Sequence, residues 1–503
     1  MNQAFRPQAS FRSSGREYRI LPFRYLQIDA DKRVLVNEAG EYVLLKNDDF
    51  LRFVKHNLHH DNEDYIRLRE KHFLSDSESL LTIELLATKY RTKKAFLEGF
   101  TKLHIFVVSL RCDHTCHYCQ VSRVTTDKVK YDMSLETARK AVDLLFQSPA
   151  KDIKVEFQGG EPLLAFDQIK FIVELINQQN SHSEKNIQFV VASNLSLLTN
   201  DILGFLSKHN ICVSTSLDGP EFLHNANRPR PGNDSYARMI SNLQRARAAL
   251  GHDRVSALMT TTQLSLKYPK DIVDEYVRQG FDSIFLRSIS PYGFAKRSVN
   301  RTGHSANEFL KFYREALDYI LSINKQGRYL AETYAQILLT KILTPWNTGY
   351  VDLQSPSGLG IGVVVYNYDG DVYASDESRM LAQMGDREFK LGNVHENTYE
   401  EIFGGEKLKA IVTASCIESL PGCADCAFQN YCGSDPVFNY AVQGSVFGHR
   451  PTSEFCSKNM AIIKYLIEMI ENADSRTQEV LWSWIRNVRI DPLNRQEESE
   501  ALQ

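Results

Sequence analysis

Three cysteines within one stretch of ten residues, RCDHTCHYCQ, carry the most specific chemistry in this sequence. Cys112, Cys116 and Cys119 have the spacing C-x3-C-x2-C, and they follow an apolar run over residues 105–110 that predicts a buried strand ending in a loop. Because soft thiolates suit iron, three of them on one loop can hold three irons of a [4Fe-4S] cluster. The loop supplies no fourth cysteine, so the fourth iron stays open to a ligand.

An iron with an open position has a defined chemistry. It can chelate the amino and carboxylate groups of S-adenosylmethionine (SAM), and one electron from the cluster then breaks a carbon–sulfur bond to give a 5′-deoxyadenosyl radical. Tyr118, directly before the third cysteine, could cover the adenine. Two other interpretations remain: a zinc knuckle completed by His114 or His117, or three core cysteines. The aromatic residue and the preceding strand favour the radical chemistry.

Composition restricts the class of protein. The chain has 503 residues, of which 43% are apolar and 24% charged, as expected of a soluble globular protein with two to four domains. A net charge of −3 gives no electrostatic signature of nucleic-acid or anionic-lipid binding. We find no apolar run of membrane-spanning length and no signal-peptide core, so we expect a cytoplasmic protein with no membrane partner. Nine cysteines are then better explained as metal ligands or reduced thiols than as disulfides.

The elements that position the cysteine loop alternate between strand and helix from about residue 103 to 343. This alternation predicts an α/β fold with a parallel sheet, here a partial (β/α)6 TIM-like barrel with its ligands at the carboxyl ends of the strands. The predicted strands cover residues 105–110, 153–157, 187–192, 211–217, 255–260 and 283–287. The predicted helices cover residues 135–146, 166–178, 200–209, 236–250 and 269–279.

The cysteine loop after a buried strand resembles the radical SAM superfamily, and the ends of later strands strengthen that resemblance. Gln158, Gly159, Gly160 and Glu161 resemble the family's GGE segment, whose backbone and carboxylate would receive the cofactor's ammonium group. Further cofactor contacts are implied at Ser193 and Asn194, although Leu195 replaces the usual glycine, and at Ser216 and Arg228, which would hold the cofactor carboxylate. Arg230 and Arg287 are weaker candidates. Each segment alone also fits an ordinary turn.

The regions on either side of the barrel predict further domains. Residues 1–16 form a flexible tail, and residues 17–100, with alternating strands and two short helices, resemble the winged-helix-like domain that holds a leader peptide as an added strand in peptide-modifying enzymes. A subdomain that merely covers the barrel is the alternative. The barrel itself spans residues 101–345, and residues 461–503 form C-terminal helices and a polar tail.

A second cysteine set lies in residues 346–460, which resemble a SPASM-like auxiliary cluster domain. Cys423, Cys426, Cys432 and Cys456 can close one auxiliary [4Fe-4S] cluster, and a structural zinc site is the alternative. The ligands of a further cluster are missing, because serines stand at 355 and 375 and no cysteine follows soon after Cys432. The role of Cys416 stays open.

Asp376 occupies the place of the general base of sulfatase-maturing relatives, so it is the candidate catalytic residue. A solvated acid in a turn is the other interpretation of this position, and the sequence favours it slightly.

Over residues 18–470 the chain resembles the B-type maturase of His-Xaa-Ser peptide systems, as a divergent member. The resemblance implies a radical SAM oxidoreductase that modifies a ribosomally made precursor peptide by hydrogen abstraction. Its implied partners are that peptide, an external electron donor such as flavodoxin or ferredoxin, and a partner maturase. A sulfatase-type formylglycine-generating maturase and a noncatalytic iron–sulfur or zinc peptide-binding scaffold are the alternatives.

Overall fold

The structure, a computed structural model, describes residues 17–77, 79–121, 124 and 127–489. The predicted tail over residues 1–16 and the polar chain end from residue 490 lie outside these residues. Within the described ranges, no helix combines the length and apolarity that crossing a membrane requires.

Strands occur along most of the described chain. They are β1 Arg19–Ile20, β2 Phe23–Gln27, β3 Lys32–Asn37, β4 Tyr42–Lys46, β5 Leu74–Ser75, β6 Leu103–Ser109, β7 Asp152–Gly159, β8 Asn186–Ala192, β9 Cys212–Ser216, β10 Val255–Leu258, β11 Ser283–Ile284, β12 Ala331–Glu332, β13 Val363–Tyr366, β14 Asp371–Tyr373 and β15 Lys390–Asn393.

Helices separate most of these strands. They are α1 Asn47–Val54, α2 Glu63–Glu70, α3 Leu81–Lys94, α4 Lys128–Tyr131, α5 Leu135–Gln147, α6 Phe166–Asn180, α7 Asn200–Lys208, α8 Glu221–Asn227, α9 Ser235–Leu250, α10 Pro269–Arg278, α11 Gly293–Arg297, α12 Val299–Thr302, α13 Ala306–Lys325, α14 Thr333–Leu343, α15 Asp376–Gln383, α16 Tyr399–Phe403, α17 Glu406–Ser415, α18 Pro436–Gln443, α19 Glu454–Glu471 and α20 Ser475–Arg486.

The central sheet confirms the predicted α/β class. Its strand order is β10-β9-β8-β7-β6-β13-β14-β15, and the first six of these strands are parallel. Strand β13 belongs to the region that the sequence analysis assigns to the extension, yet it pairs with β6 in parallel, with Val363 beside Leu103. The extension therefore adds strands to the barrel sheet as well as packing against it.

The sixth strand predicted from the sequence, residues 283–287, is reduced to the two residues of β11. It pairs with β12 in a separate parallel pair, and a single bridge between Thr261 and Ser288 joins its end to the end of β10. The place of a sixth parallel strand in the main sheet is taken by β13 instead. Local apolar content marks a strand, but it does not determine the neighbour that the strand pairs with.

Helix α5 shows how the crossover helices cover the sheet. Ser134 caps it by accepting a hydrogen bond from the Thr137 amide at 3.0 Å. Ala138, Val142 and Leu145 are buried on its inner face, whereas Leu135, which the period places on the same face, is 50% exposed at the first turn. The apolar repeat therefore identifies the buried face of α5 correctly from the second turn onward.

The N-terminal region has its own core. Strands β2, β3 and β4 form an antiparallel sheet, and the predicted turn after Asn37 joins β3 to β4. The inner face of this sheet and helices α1 and α2 bury an apolar cluster that includes Leu35, Phe53, Leu68 and Phe73. Residues 17–77 thus pack around a separate apolar cluster beside the barrel.

Candidate active site

An open cleft of about 1130 Å³ lies at the carboxyl ends of the parallel strands. Strand ends β7, β8, β9 and β10 and the loop after β6 all contribute to its wall, as the parallel topology requires. The sequence-predicted residues that line it are Cys112, Cys116, Tyr118, Cys119, Gln158, Gly159, Gly160, Ser193, Asn194, Ser216, Arg228, Arg287 and Asp376. The fold thus brings residues spread over more than half of the chain to one cavity.

The cysteine loop forms one wall of this cleft. Burial raises the pKa of the Cys112 thiol, with a further contribution from the negative charge of Glu161, and burial raises the pKa of Cys116 to about 12. Such thiols become good ligands only when a metal compensates the thiolate charge. His114 is buried, and its ring nitrogens contact Asp113 at 2.9 Å and Ser235 at 2.9 Å, which leaves this side chain poorly placed as a zinc ligand.

Gly159 and Gly160 have a role that the sequence interpretation did not identify. A Cβ on Gly159 would lie 2.0 Å from the Ser109 carbonyl oxygen, and one on Gly160 would lie 2.3 Å from that of Arg111. The amide of Gly160 donates to Ser109 at 2.8 Å. The missing side chains therefore let the end of β7 dock on the start of the cysteine loop, whereas the sequence analysis had them admit the ligand.

The carboxylate of Glu161 also differs from the expectation that it faces a cofactor. It is fully buried, and it accepts hydrogen bonds from the Ser193 hydroxyl at 2.7 Å and the Asn194 amide at 2.8 Å. Burial raises its pKa to about 7, although these hydrogen bonds lower it. Glu161 thus holds the turn after β8 in this structure. That turn presents Ser193 and Asn194 to the cleft.

The turn after β8 bends sharply at Leu195, where the resembling family has glycine. Leu195 adopts φ +63°, a left-handed conformation that favours glycine, and its side chain is buried. The Asn242 amide donates to the Leu195 carbonyl at 2.7 Å and helps to hold this conformation. The backbone geometry expected of a glycine is therefore retained without one.

Tyr118 and Arg228 are joined by Asp218, an acid that was not predicted as a site residue. The Tyr118 hydroxyl donates to Asp218 at 2.7 Å, and the Arg228 Nε donates to the same oxygen at 3.0 Å. The guanidinium lies over the Tyr118 ring, 5.3 Å from its centroid. Burial alone would lower the pKa of Arg228, but Asp218 raises it, so the cation persists at the cleft wall. Arg230 instead pairs with Asp234.

A second acid missed from the sequence, Asp113, ties the cysteine loop to the turn after β8. It accepts hydrogen bonds from the Asn194 side-chain amide at 2.8 Å and from the Ser196 hydroxyl at 2.6 Å. Burial alone would raise the pKa of Asp113, but the hydrogen bond to His114, together with these two bonds, holds it well below its usual range. Its only sequence signal is its position inside the C-x3-C loop, where an acid could also be a ligand or a surface residue.

Asp376 lines the same cleft, at the first position of α15. Its side chain is 17% exposed, and its Oδ1 accepts two hydrogen bonds from the fully buried Arg379, from Nε at 3.0 Å and from Nη2 at 2.7 Å. The interpretation as a solvated turn acid is therefore wrong. The position faces the candidate site and has a fixed orientation.

The second cysteine set also comes together. Burial raises the pKa of Cys432 to about 12, and the nearby thiols of Cys426, Cys456 and Cys423 raise it further. Cys416 lies apart from them, because its thiol contacts the Val412 carbonyl at 3.4 Å and its charged neighbours are Glu418 and Lys94. Cys416 is therefore a half-buried residue after α17 and not a fifth member of the set.

The serines that stand in place of further cysteines have structural partners. Ser355 accepts a hydrogen bond from the Ile417 amide at 3.1 Å, and Ser375 caps α15 by accepting one from the Ser378 amide. Both side chains are buried. These hydroxyls act as local hydrogen-bonding groups, so the fold does not need a metal at either position.

The donor sets fit the groups that the fold family implies. Three thiols on one loop face a cleft whose other walls offer a tyrosine ring, a paired guanidinium and a polar backbone turn. These groups together suit SAM bound to a [4Fe-4S] cluster. The second set offers four partly buried thiols, the number that a closed cluster requires.

Comparison with known proteins agrees with this geometry. Residues 106–274 match the model of the radical SAM superfamily. An uncharacterized protein of Methanocaldococcus jannaschii is 36% identical over 117 residues, and the match covers 23% of this chain and 38% of that protein. The cysteine-type anaerobic sulfatase-maturating enzyme of Clostridium perfringens is 24% identical over 305 residues, covering 59% of this chain and 78% of that enzyme.

Two solved structures share the fold. Native anSMEcpe with bound AdoMet has a TM-score of 0.59 at 20% identity, covering 74% of this chain and 99% of that one. Streptococcus suis SuiB bound to the precursor peptide SuiA has a TM-score of 0.51 at 15% identity, covering 87% and 99%. Residues 106–274 therefore match the radical SAM superfamily, and the chain shares the fold of these two solved structures.

Proposed function

We propose that this enzyme modifies a ribosomally made precursor peptide by abstracting hydrogen from one of its residues. The observation that carries the proposal is the single cleft in which the three-cysteine loop, the Tyr118–Asp218–Arg228 group and Asp376 face one another. A solved structural relative, SuiB, is described with its precursor peptide bound, which supports a peptide substrate for this fold. When bound, the cluster and SAM supply a radical able to take hydrogen from an unactivated carbon.

The chain's own residues would bind and orient the cluster and SAM and would shield them from water. Cys112, Cys116 and Cys119 would hold three irons. The Tyr118 ring offers an apolar face for adenine, and the guanidinium of Arg228 offers donors to a carboxylate. Asp376 can accept or hold a proton at its carboxylate in the same cleft. One auxiliary cluster at Cys423, Cys426, Cys432 and Cys456, and an external donor such as flavodoxin or ferredoxin, would complete the electron supply.

The direct test is release of 5′-deoxyadenosine by anaerobically reconstituted enzyme. Wild-type enzyme should release it, and the rate should rise when the precursor peptide encoded beside this protein is added. Cys116→Ala should lower iron by about four atoms per chain and abolish release, because one lost thiolate breaks the three-ligand set. The matched control is Cys212→Ala, since Cys212 begins β9, away from both cysteine sets, and its thiol accepts a hydrogen bond from the Gln188 amide at 3.8 Å. No release from reconstituted wild-type enzyme would refute the proposal.

A second candidate is the oxidation of Ser or Cys in a sulfatase peptide to formylglycine. Asp376, fixed at the cleft edge by Arg379, favours it, as do relatives described as sulfatase-maturating enzymes. Formylglycine formation on a sulfatase-derived peptide, measured by mass spectrometry, would support this candidate if Asp376→Asn lowers it at least a hundredfold while SAM binding is retained. A peptide that stimulates 5′-deoxyadenosine release without formylglycine would favour the first proposal.

A further inference from the structure

A second cavity of about 950 Å³ adjoins the candidate active site. Arg287 lines both cavities, and consecutive residues at the start of α15 divide them, with Asp376 facing the first and Glu377 the second. A group bound in the second cavity would therefore lie one residue away from the candidate catalytic acid. Neither the reaction chemistry nor the cysteine sets account for this cavity.

The charges on its wall are unbalanced. Four carboxylates line it, those of Asp352, Glu377, Asp435 and Glu454, against the two cations Arg287 and Lys458. Arg287 is 3.7 Å from Glu377. The described residues place no cation within 4.0 Å of Asp352 or Asp435. Two carboxylates at this wall thus lack a close ion-pair partner.

The neighbours of Lys458 explain why it does not supply that partner. Its ammonium lies over the rings of Phe455, at 5.8 Å, and Tyr334, at 6.0 Å from the centroids. Burial raises the pKa of Asp435 to about 8 and that of Glu377 to about 7, and the negative charge of Asp352 raises both further. A cation placed among these three carboxylates would remove their mutual repulsion.

An independent observation points to a ligand with donor groups. The Tyr292 hydroxyl lies at the same wall, its side chain is 1% exposed, and the described residues give its oxygen no hydrogen-bond partner. Leaving such a buried group unpaired is unfavourable. A guanidinium or ammonium group can donate to this oxygen and to the carboxylates around it, and the rings of Tyr334 and Tyr350 offer faces for its alkyl chain.

We propose that this second cavity binds the cationic side chain of an arginine or lysine of the peptide substrate, next to the residue that is modified. The proposal rests on the proposed peptide-modifying function. It adds a sequence requirement for the substrate: a basic residue within a few positions of the reacting one. Charge selects the side chain, and the aromatic wall selects its length.

Small cations test the site without knowledge of the substrate. We expect anaerobically reconstituted enzyme to bind N-acetyl-L-argininamide or N-acetyl-L-lysinamide at least tenfold more tightly than the neutral isostere N-acetyl-L-citrullinamide, measured by titration calorimetry with SAM present. The comparison of the two cationic probes identifies which residue the site prefers. Equal affinity for the citrulline probe would overturn the proposal.

Amide variants locate the binding. Asp435→Asn and Glu377→Gln should each lower the affinity for the preferred cationic probe at least fivefold. Asp435 accepts hydrogen bonds from the Val437 and Phe438 amides at the start of α18, and asparagine can replace it as a cap. The matched control is Asp474→Asn, which changes a capping acid of α20 that does not line the cavity and should leave affinity unchanged. Equal affinities of the Asp435→Asn and Asp474→Asn variants would overturn the proposal.

The two proposals fail differently. If the cationic probe binds as expected and no peptide stimulates release of 5′-deoxyadenosine, the peptide-modifying function is refuted while the cation site stands. If a precursor peptide stimulates release but the cationic and citrulline probes bind alike, the cation site is refuted while the function stands.

Discussion

At the scale of single residues, the candidate site depends on acids that hold other groups in place. Asp218 joins Tyr118 to Arg228, Glu161 fixes the turn at Ser193, and Asp113 ties the cysteine loop to the same turn. Each of these acids is surrounded by donors, so each acts by orientation. The residues that would contact a cofactor are therefore positioned by a layer of carboxylates behind them.

Asp218→Asn tests this layer. Asparagine keeps an acceptor for Tyr118, but it leaves the buried guanidinium of Arg228 without its counter-charge. We expect the free energy of unfolding to fall by about 3 kcal/mol, the low end of the cost of breaking a buried ion pair, and SAM to bind at least tenfold more weakly. Chemical denaturation and equilibrium dialysis measure the two effects.

The control for this prediction is Asp201→Asn, which changes an exposed acid in the first turn of α7. It should change stability by less than about 0.5 kcal/mol. Unchanged SAM affinity in Asp218→Asn would show that Arg228 keeps its place without the acid, and the orienting role would be withdrawn.

At the scale of elements, the site exists because β7 docks closely on the loop after β6. Two bare Cα atoms, those of Gly159 and Gly160, make that approach possible. The contact sets the distance between the cysteine loop and the ends of the next strands. Element packing, more than any one ligand, decides the shape of the cleft.

Gly159→Ala should separate these two elements. The new Cβ would meet the Ser109 carbonyl at 2.0 Å, and both partners are backbone, so neither can yield without moving its strand. We expect the variant to fold with lowered thermal stability and to incorporate less than half of the wild-type iron at the first site, measured by iron analysis in a background that lacks Cys423.

Gly204→Ala is the matched control, because a Cβ at this position in α7 meets nothing within 4 Å. Removing a glycine from a helix should stabilise the protein by about 0.5–1 kcal/mol and leave iron content unchanged. Full iron incorporation by Gly159→Ala would mean that the loop tolerates a wider separation than the contact implies.

At the scale of the whole molecule, the loop of the second cysteine set binds the N-terminal region. The Tyr431 hydroxyl, next to Cys432, donates to the Gly40 carbonyl at 2.7 Å, and the Asn430 side chain donates to the Asn37 carbonyl at 2.9 Å. Arg24 reaches the Ala424 carbonyl, between Cys423 and Cys426. The loop that would hold the auxiliary metal is thus also the loop on which the β3–β4 turn rests.

Removing the auxiliary metal should therefore loosen the N-terminal region. In Cys423→Ala, we expect faster amide hydrogen exchange over residues 37–43 and easier proteolysis after residue 77, because the docking loop loses its cross-link. Cys112→Ala, which affects the other set, is the control and should leave exchange at residues 37–43 unchanged. Identical exchange in the two variants would show that docking of the N-terminal region does not depend on the auxiliary metal.

The sequence by itself determined the chemistry and the class of fold. Cysteine spacing identifies a ligand set because the three thiols lie close together in the sequence. Strand–helix alternation predicts a parallel sheet because the repeat of apolar residues that marks each strand or helix is also a local property of the sequence. Five of the six predicted barrel strands lie in the sheet. Thirteen of the residues predicted around the cleft line it, whereas Glu161, with its carboxylate turned inward, and Arg230 do not.

Only the tertiary structure decided what those residues touch. It placed β13 beside β6, turned Gly159 and Gly160 toward the cysteine loop, gave Asp376 a buried arginine partner and brought Asp352, Glu377 and Asp435 to one wall. These outcomes depend on contacts between segments tens to hundreds of residues apart. No local period or spacing encodes such contacts, because they arise when the whole chain packs and each buried polar group must find a partner.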